Sequence, residues 1–285
     1  MRAILLVMLL VTSKISAQIT ELDVIGKIEG GKDVSAISCI KDKLCLLASD
    51  ETNFLQAFKI VGSNLEVIGK KIDLGKFKKE NDIEALTHDG KYFYAVGSHG
   101  LSRKSGKYQE SRYNLFKILL NKRAEVIEIS TLPLAPILRG HEKLGKYYKR
   151  RLQNNGINIE GMAYHRGRLY FGFRAPLILG NAQILSLKLD DFSLSSSNLY
   201  SLDMQGQGIR SLEFFNNKLY GILGASLPSD FQTSNLVLID LIYGKTIYNS
   251  VPHDYLKLEG LEVLGEDEMF FVYDSVENGK PIISK

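Results

Sequence analysis

Five short segments of the chain repeat one pattern whose third position is mostly charged. They are Asp33-Val-Ser-Ala-Ile37, Asp82-Ile-Glu-Ala-Leu86, Asn158-Ile-Glu-Gly-Met162, Gly208-Ile-Arg-Ser-Leu212 and Lys257-Leu-Glu-Gly-Leu261. The third residues are Ser35, Glu84, Glu160, Arg210 and Glu259. Arg174 follows Glu160 by 14 residues, and the same offset from Glu84 reaches Ser98, with His99 next. Carboxylates converging from separate segments can hold Ca²⁺, which takes about 6–8 oxygen ligands, and Glu84, Glu160 and Glu259 are the candidates. Arginine grips a phosphate or carboxylate through two parallel hydrogen bonds, the role open to Arg174 and Arg210. His99 and Glu160 are the candidate general acid and base, provided that their surroundings bring a pKa near the working pH. The same residue types have a plainer use, because glutamates and arginines at one level can simply pair with each other.

Positioning these groups falls to a repeated hairpin. Each segment is extended and apolar, turns at Lys, Arg or Gly, and continues into a second apolar run: Leu44–Ala48, Tyr92–Val96, Leu169–Phe173, Leu219–Leu223 and Met269–Tyr273. A third strand follows in every unit. The mature N-terminus, Leu22-Asp-Val-Ile-Gly26, matches the fourth strand of the first unit, Leu65-Glu-Val-Ile-Gly69. Residues 19–28 are therefore expected to complete the last unit and close a ring. This is an all-β chain read as a β-propeller of five four-stranded blades. Successive third positions lie 49, 76, 50 and 49 residues apart. The long interval leaves six blades as the alternative, but it is accounted for by insertions at 98–112 and 131–157. Antiparallel pairing puts the start of one strand beside the end of the next, so both insertions emerge on the rim that carries the charged residues.

Composition sets the surroundings. With 45% apolar and 24% charged residues the chain can bury a core. Residues 1–17 read as a signal peptide, with basic Arg2, an apolar Ala3 to Val11 and small Ser16-Ala17 before the expected cut. The apolar run is shorter than the ~20 residues that a membrane span needs. Residues 18–285 are then one exported domain, periplasmic or secreted, and expected to work as a monomer. The formal charge of +4 falls when Arg2 and Lys14 leave with the leader. No basic stripe argues for nucleic acid, and Lys146-Tyr-Tyr-Lys-Arg-Arg151 reads as a solvated helix face. Cys39 and Cys45 face each other across a hairpin whose tip is 41–43; a disulfide and two buried thiols both fit.

The pair Asn158-Ile-Glu-Gly-Met162 and Gly172-Phe-Arg-Ala-Pro176, with Gly97-Ser-His99, Arg112 and Gly208-Ile-Arg210, resembles a bacterial propeller family of unknown function, DUF3616. That family is allied to phytase-like and esterase-like propellers. The resemblance spans nearly the whole mature chain and implies an exported propeller with, by analogy, a Ca²⁺-assisted site for a small anionic ester. It adds Ser98, Arg112 and Asn158 as ligand-binding residues beside Glu84, His99, Glu160, Arg174, Arg210 and Glu259. Two expectations follow. One is a hydrolase of a small (phospho)ester. The other is a non-catalytic envelope scaffold that binds a protein or glycan through the same rim, around Tyr108, Tyr113, Tyr147 and Tyr148.

Overall fold

In the computed structural model the described residues are 18–40, 44–75, 77, 79–227, 234–242, 246–249 and 257–285. The expected leader and the hairpin tip at 41–43 lie outside them. The chain opens with two short strands, β1 (Ile19–Glu21) and β2 (Asp23–Ile25). The first blade holds β3 (Val34–Ile40), β4 (Leu44–Ser49), β5 (Phe54–Val61) and β6 (Asn64–Asp73). The second holds β7 (Ile83–His88), β8 (Phe93–Gly97), β9 (Leu115–Leu120) and β10 (Val126–Leu132). Helix α1 (Leu134–Gly140) precedes the third blade, made of β11 (Asn158–His165), β12 (Arg168–Ala175), β13 (Ala182–Lys188) and β14 (Asn198–Leu202). The fourth is β15 (Gln207–Phe215), β16 (Lys218–Ala225), β17 (Asn235–Ile239) and β18 (Thr246–Asn249). The fifth is β19 (Lys257–Val263), β20 (Met269–Asp274) and β21 (Ile282–Ser284), completed by β1.

These five sheets form a ring. The inner strands touch in the order β3, β7, β11, β15, β19 and back to β3. Between each pair of neighbouring blades lies one apolar seam, five in all. A strand covered on both faces has no reason to alternate, which is why the inner strands are buried almost throughout. In the seam of blades two and three, Phe171, Phe173 and Leu185 are fully buried, each contributing about 2–3 kcal/mol by leaving water. Helix α1 covers that seam with Leu134, Ile137 and Leu138, one helical face by spacing. Five sheets and five seams among the described residues make this a five-bladed β-propeller, and the six-blade alternative falls away.

Ring closure differs from the expectation in one respect. Only Ile19–Glu21 pairs with β21 of the last blade. The chain then crosses to the first blade, where Asp23, Val24 and Ile25 run parallel to Asn64, Leu65 and Glu66 on its outer edge. The two similar sequences, Leu22–Gly26 and Leu65–Gly69, therefore lie side by side, with Leu22, Val24, Leu65 and Val67 packed into the same seam. Cys39 and Cys45 are opposite each other in the β3–β4 register and are joined as a disulfide.

Candidate functional site

Every inner strand carries a bulge at the same place. The register between the first two strands of a blade shifts across Ser35, Glu84, Glu160, Arg210 and Glu259. A bulged residue drops out of the ladder and its side chain is re-aimed. The fold thus presents five equivalent positions at one level of the ring, all of them buried. Close backbone approach keeps that level tight. A Cβ on Gly208 would collide with the carbonyl oxygen of Arg174 in the neighbouring blade, and one on Gly97 with that of Arg112 on the inserted loop of its own blade.

On the side of blades three to five the charges pair completely. Arg174 donates from Nη1 to Oε1 of Glu160 at 3.0 Å, and Arg210 donates from Nη1 to Oε2 of the same carboxylate at 2.7 Å. Arg210 also reaches Oε1 of Glu259 at 3.0 Å, and Lys257 pairs with Glu259 and Asp274. Further donors meet carbonyls: Nε of Arg174 bonds those of Ala225 and Ser226, and Nη2 of Arg210 bonds that of Ala225. Three carboxylates and three cations balance. Burial alone would push the Glu160 carboxyl up, but Arg210 and Arg174 bring it down to about 2. It stays ionised and is a weak base. Arg174 and Arg210 have their guanidinium groups engaged within the protein.

On the side of blades one and two the balance fails. Glu84 is only 6% exposed, and no hydrogen-bond donor meets its carboxylate among the described residues. Oxygens of Asp50, Asp82 and Glu84 lie within 4.8 Å of one another. Arg112 donates to Asp82 at 2.8 Å and to Glu80 at 2.7 Å, leaving Asp50 and Glu84 unpaired. One oxygen of Asp50 and Oδ1 of Asn158 are buried without a partner. Burial first, and then Glu160, Asp82 and Asp50, push the Glu84 carboxyl well above the usual range. Burial followed by Asp82 raises Asp50 to about 7. Asp82 is raised by burial, against the pull of Arg112. The corner opens to a narrow cleft of about 10 Å³, room for a water or a bare ion, lined by Asp82, Glu84, Ser98, Arg103, Arg112 and Asn158 among others. Arg103, an exposed residue of the 98–112 loop, feels the charges of Glu84, Glu160, Asp82 and Asp50, and these raise its pKa against the opposing effect of desolvation.

The structure therefore sorts the expected site residues. Glu84, Ser98, Arg112 and Asn158 line one cleft. Glu160, Arg174, Arg210 and Glu259 form the paired network next to it. His99 is fully buried at φ 53°, edge-on to Tyr113, with neither ring nitrogen bonded. Burial holds its pKa down to about 3, so the imidazole is neutral. Asp50, Asp82 and Arg103 join the site without having been singled out. Two of them carried a signal: Asp82 is the first residue of its repeat, and Asp50 directly follows the second strand of the first blade. Among the described residues no helix is long and apolar enough to cross a membrane.

Overlays on solved structures are distant. The PQQ-bound aldose sugar dehydrogenase of Streptomyces coelicolor overlays on 94% of this chain and 97% of its own at 11% identity and a TM-score of 0.47. Virginiamycin B lyase of Staphylococcus aureus overlays on 94% of this chain and 74% of its own at 10% identity and a TM-score of 0.42. A protein of unknown function from Bacteroides thetaiotaomicron gives 94%, 75%, 10% and 0.47 in the same terms. No curated protein matches the sequence. Residues 33–127 and 120–233, more than half of the chain, match the model of a family described as a protein of unknown function, and the chain belongs to that family, DUF3616.

Proposed function

We propose that the protein is an exported propeller that binds a divalent cation, Ca²⁺ by ligand type, at the corner formed by Asp50, Asp82 and Glu84. In this reading it acts there on a small anionic ester. One observation carries the reading: a buried carboxylate, Glu84, has no donor of its own and faces two further carboxylates. Like charges at that separation and burial are costly unless a proton or a cation joins them. The donor set fits a hard cation. Three carboxylates can offer several oxygens, and the unpartnered Oδ1 of Asn158 adds a neutral one in the same cleft. A cation held there would polarise a phosphoryl or carbonyl oxygen.

The chain's own residues set the rest. Arg103, facing the cleft from its loop, holds the anionic group of the ligand, a task the engaged Arg174 and Arg210 leave to it. Arg112 fixes Asp82 and Glu80, and so orients one side of the corner. Ser98 accepts the backbone N–H of Gly100 at 3.1 Å and shapes the start of the loop that carries Arg103. Glu160, ionised between two arginines, is a rigid wall of the site. Export is supported by the leader-like N-terminus and by the Cys39–Cys45 disulfide, a bond at home in oxidising compartments.

Calorimetric titration of the chelator-treated protein with Ca²⁺ tests the reading. Saturable binding in the wild type and at least about a tenfold loss in Glu84→Gln are expected. Equal binding by the two proteins, or none by either, removes the cation from the account.

A further inference from the structure

We propose that the two insertions form a docking collar for an acidic polysaccharide, a chain of carboxylated sugars, on the rim above the cleft. The surface does not depend on the cation reading.

Charge is the first argument. The segments 98–112 and 131–157 carry ten lysines and arginines against two glutamates, Glu110 and Glu142. The whole chain has 36 basic and 32 acidic residues, which leaves 26 against 30 for everything else. All of the positive excess thus sits in the two insertions, on an otherwise acidic molecule. Most of these charges are free of carboxylates: Lys143, Lys146, Lys149, Arg150 and Arg151 form no ion pair among the described residues. Lys143, Lys146, Lys149 and Arg150 are also exposed. A field of one sign on a single rim draws in ligands of the other.

Geometry is the second. The insertions pack into one body. Arg151 donates to the carbonyl of Ser105, Nζ of Lys149 sits 3.9 Å from the ring centre of Tyr108, and Tyr113 meets both Tyr108 and Tyr148. The run from Lys146 to Arg151, expected as a helix face, is a single 3-10 turn (Gly145–Tyr147) followed by loop; its tyrosines pack against the seam of blades two and three and its cations stay exposed. Tyr108 is 46% exposed beside those cations. The part of Tyr108 left exposed beside Lys149 and Tyr113, next to cations that form no ion pair, suits a sugar ring that packs C–H groups against the tyrosine and offers a carboxylate to the cation. Inorganic polyphosphate has no apolar face to lay there. The disulfide and leader-like start direct the chain away from compartments that hold nucleic acid.

Fluorescence anisotropy of a labelled oligogalacturonate of defined length, titrated with the full chain in EDTA, tests the proposal. Binding is expected, weakening by about tenfold or more between roughly 50 and 200 mM salt. The exposed triple reversal Lys146→Glu, Lys149→Glu, Arg150→Glu should lose about tenfold or more while its circular dichroism is unchanged. Tyr108→Ala should lose several-fold with the salt slope kept. The proposal is overturned by any of four results: no binding at low salt, binding only when Ca²⁺ is present, equal binding by the folded triple variant, or binding of inorganic polyphosphate or an oligo(dT) as tight as that of the uronate.

Discussion

Glu84 and Glu160 occupy the same bulge of neighbouring blades, are buried alike, and meet opposite surroundings. Glu160 lies between Arg174 and Arg210, which hold its carboxyl down to about 2. Glu84 lies beside Asp50 and Asp82, and its carboxyl is pushed up. The backbone repeat decides where a side chain points; the neighbouring blade decides whether its charge is answered. An answered charge is structural, because its donors and acceptors are already taken. An unanswered one, held open by the rest of the fold, is where a ligand gains most by binding. This difference separates the half of the channel whose charges are paired within the protein from the half whose carboxylates crowd one another.

The sharpest way to break the comparison is to remove the same charge from both places. Glu160→Gln leaves two buried guanidinium groups facing a neutral amide, and loss of one partner from a buried pair costs about 3–5 kcal/mol. Urea unfolding should show that loss. Glu84→Gln should not destabilise the protein, because it relieves repulsion. Equal destabilisation by the two substitutions would erase the distinction between the halves.

Much of this was readable in the amino-acid sequence. The five-residue repeat, its hairpins and the return of the N-terminus to the last blade are local patterns, and a local pattern survives without the fold. Even the pairing was written in the order of the ring. Arg210 stands between Glu160 and Glu259, whereas Glu84 stands between Ser35 and Glu160. The sequence put Asp82 at the head of its repeat and Asp50 just past a strand, but it did not show that they meet at Glu84. Each is a residue at the end of a strand, brought to Glu84 by a φ of 50° at Asp82 and by the turn after β4, and neither conformation leaves a periodic mark. His99 was misleading for a related reason. A histidine suggests proton transfer, but full burial without a partner makes this one a weak base, its pKa about 3. The crossing of β2 to the first blade was equally silent, since three residues are too few to show alternation.

A cation should sharpen the contrast by stabilising one half alone. Ligand that binds only the folded state at a hundredfold excess over its dissociation constant adds about 2.7 kcal/mol. The midpoint of thermal unfolding should therefore rise with Ca²⁺ in the wild type and fall back with EDTA. Glu84→Gln and Asp50→Asn should abolish the rise. Glu259→Gln, on the paired side, should keep a rise of the same size above its own lower baseline. A rise lost only in Glu259→Gln would place the cation in the wrong half.

The smallest effect is the most specific, and it lies in the pH dependence. Asp50 goes from 3.8 as a free side chain to about 7 in the fold. A carboxyl with a raised folded pKa keeps its proton in the folded state after the unfolded chain has released it. Stability then declines as pH rises from about 4 to about 7. Glu160 runs the other way: its folded pKa lies below 4.5, so its contribution is present above that pH and is lost as pH falls toward about 2. In EDTA, the wild type should lose roughly 1–2 kcal/mol between pH 5 and 7, after allowance for screening of the partly exposed Asp50. Asp50→Asn should lessen that decline, with Glu84 and Asp82, also raised, carrying what remains, while Lys257→Met should leave it in place. The affinity for Ca²⁺ should weaken as pH drops below about 7, because the cation and the proton compete for the same oxygens. A stability profile that is flat over this interval in the wild type would mean that the three carboxylates are accommodated without strain, and the corner would then be no different from its paired neighbour.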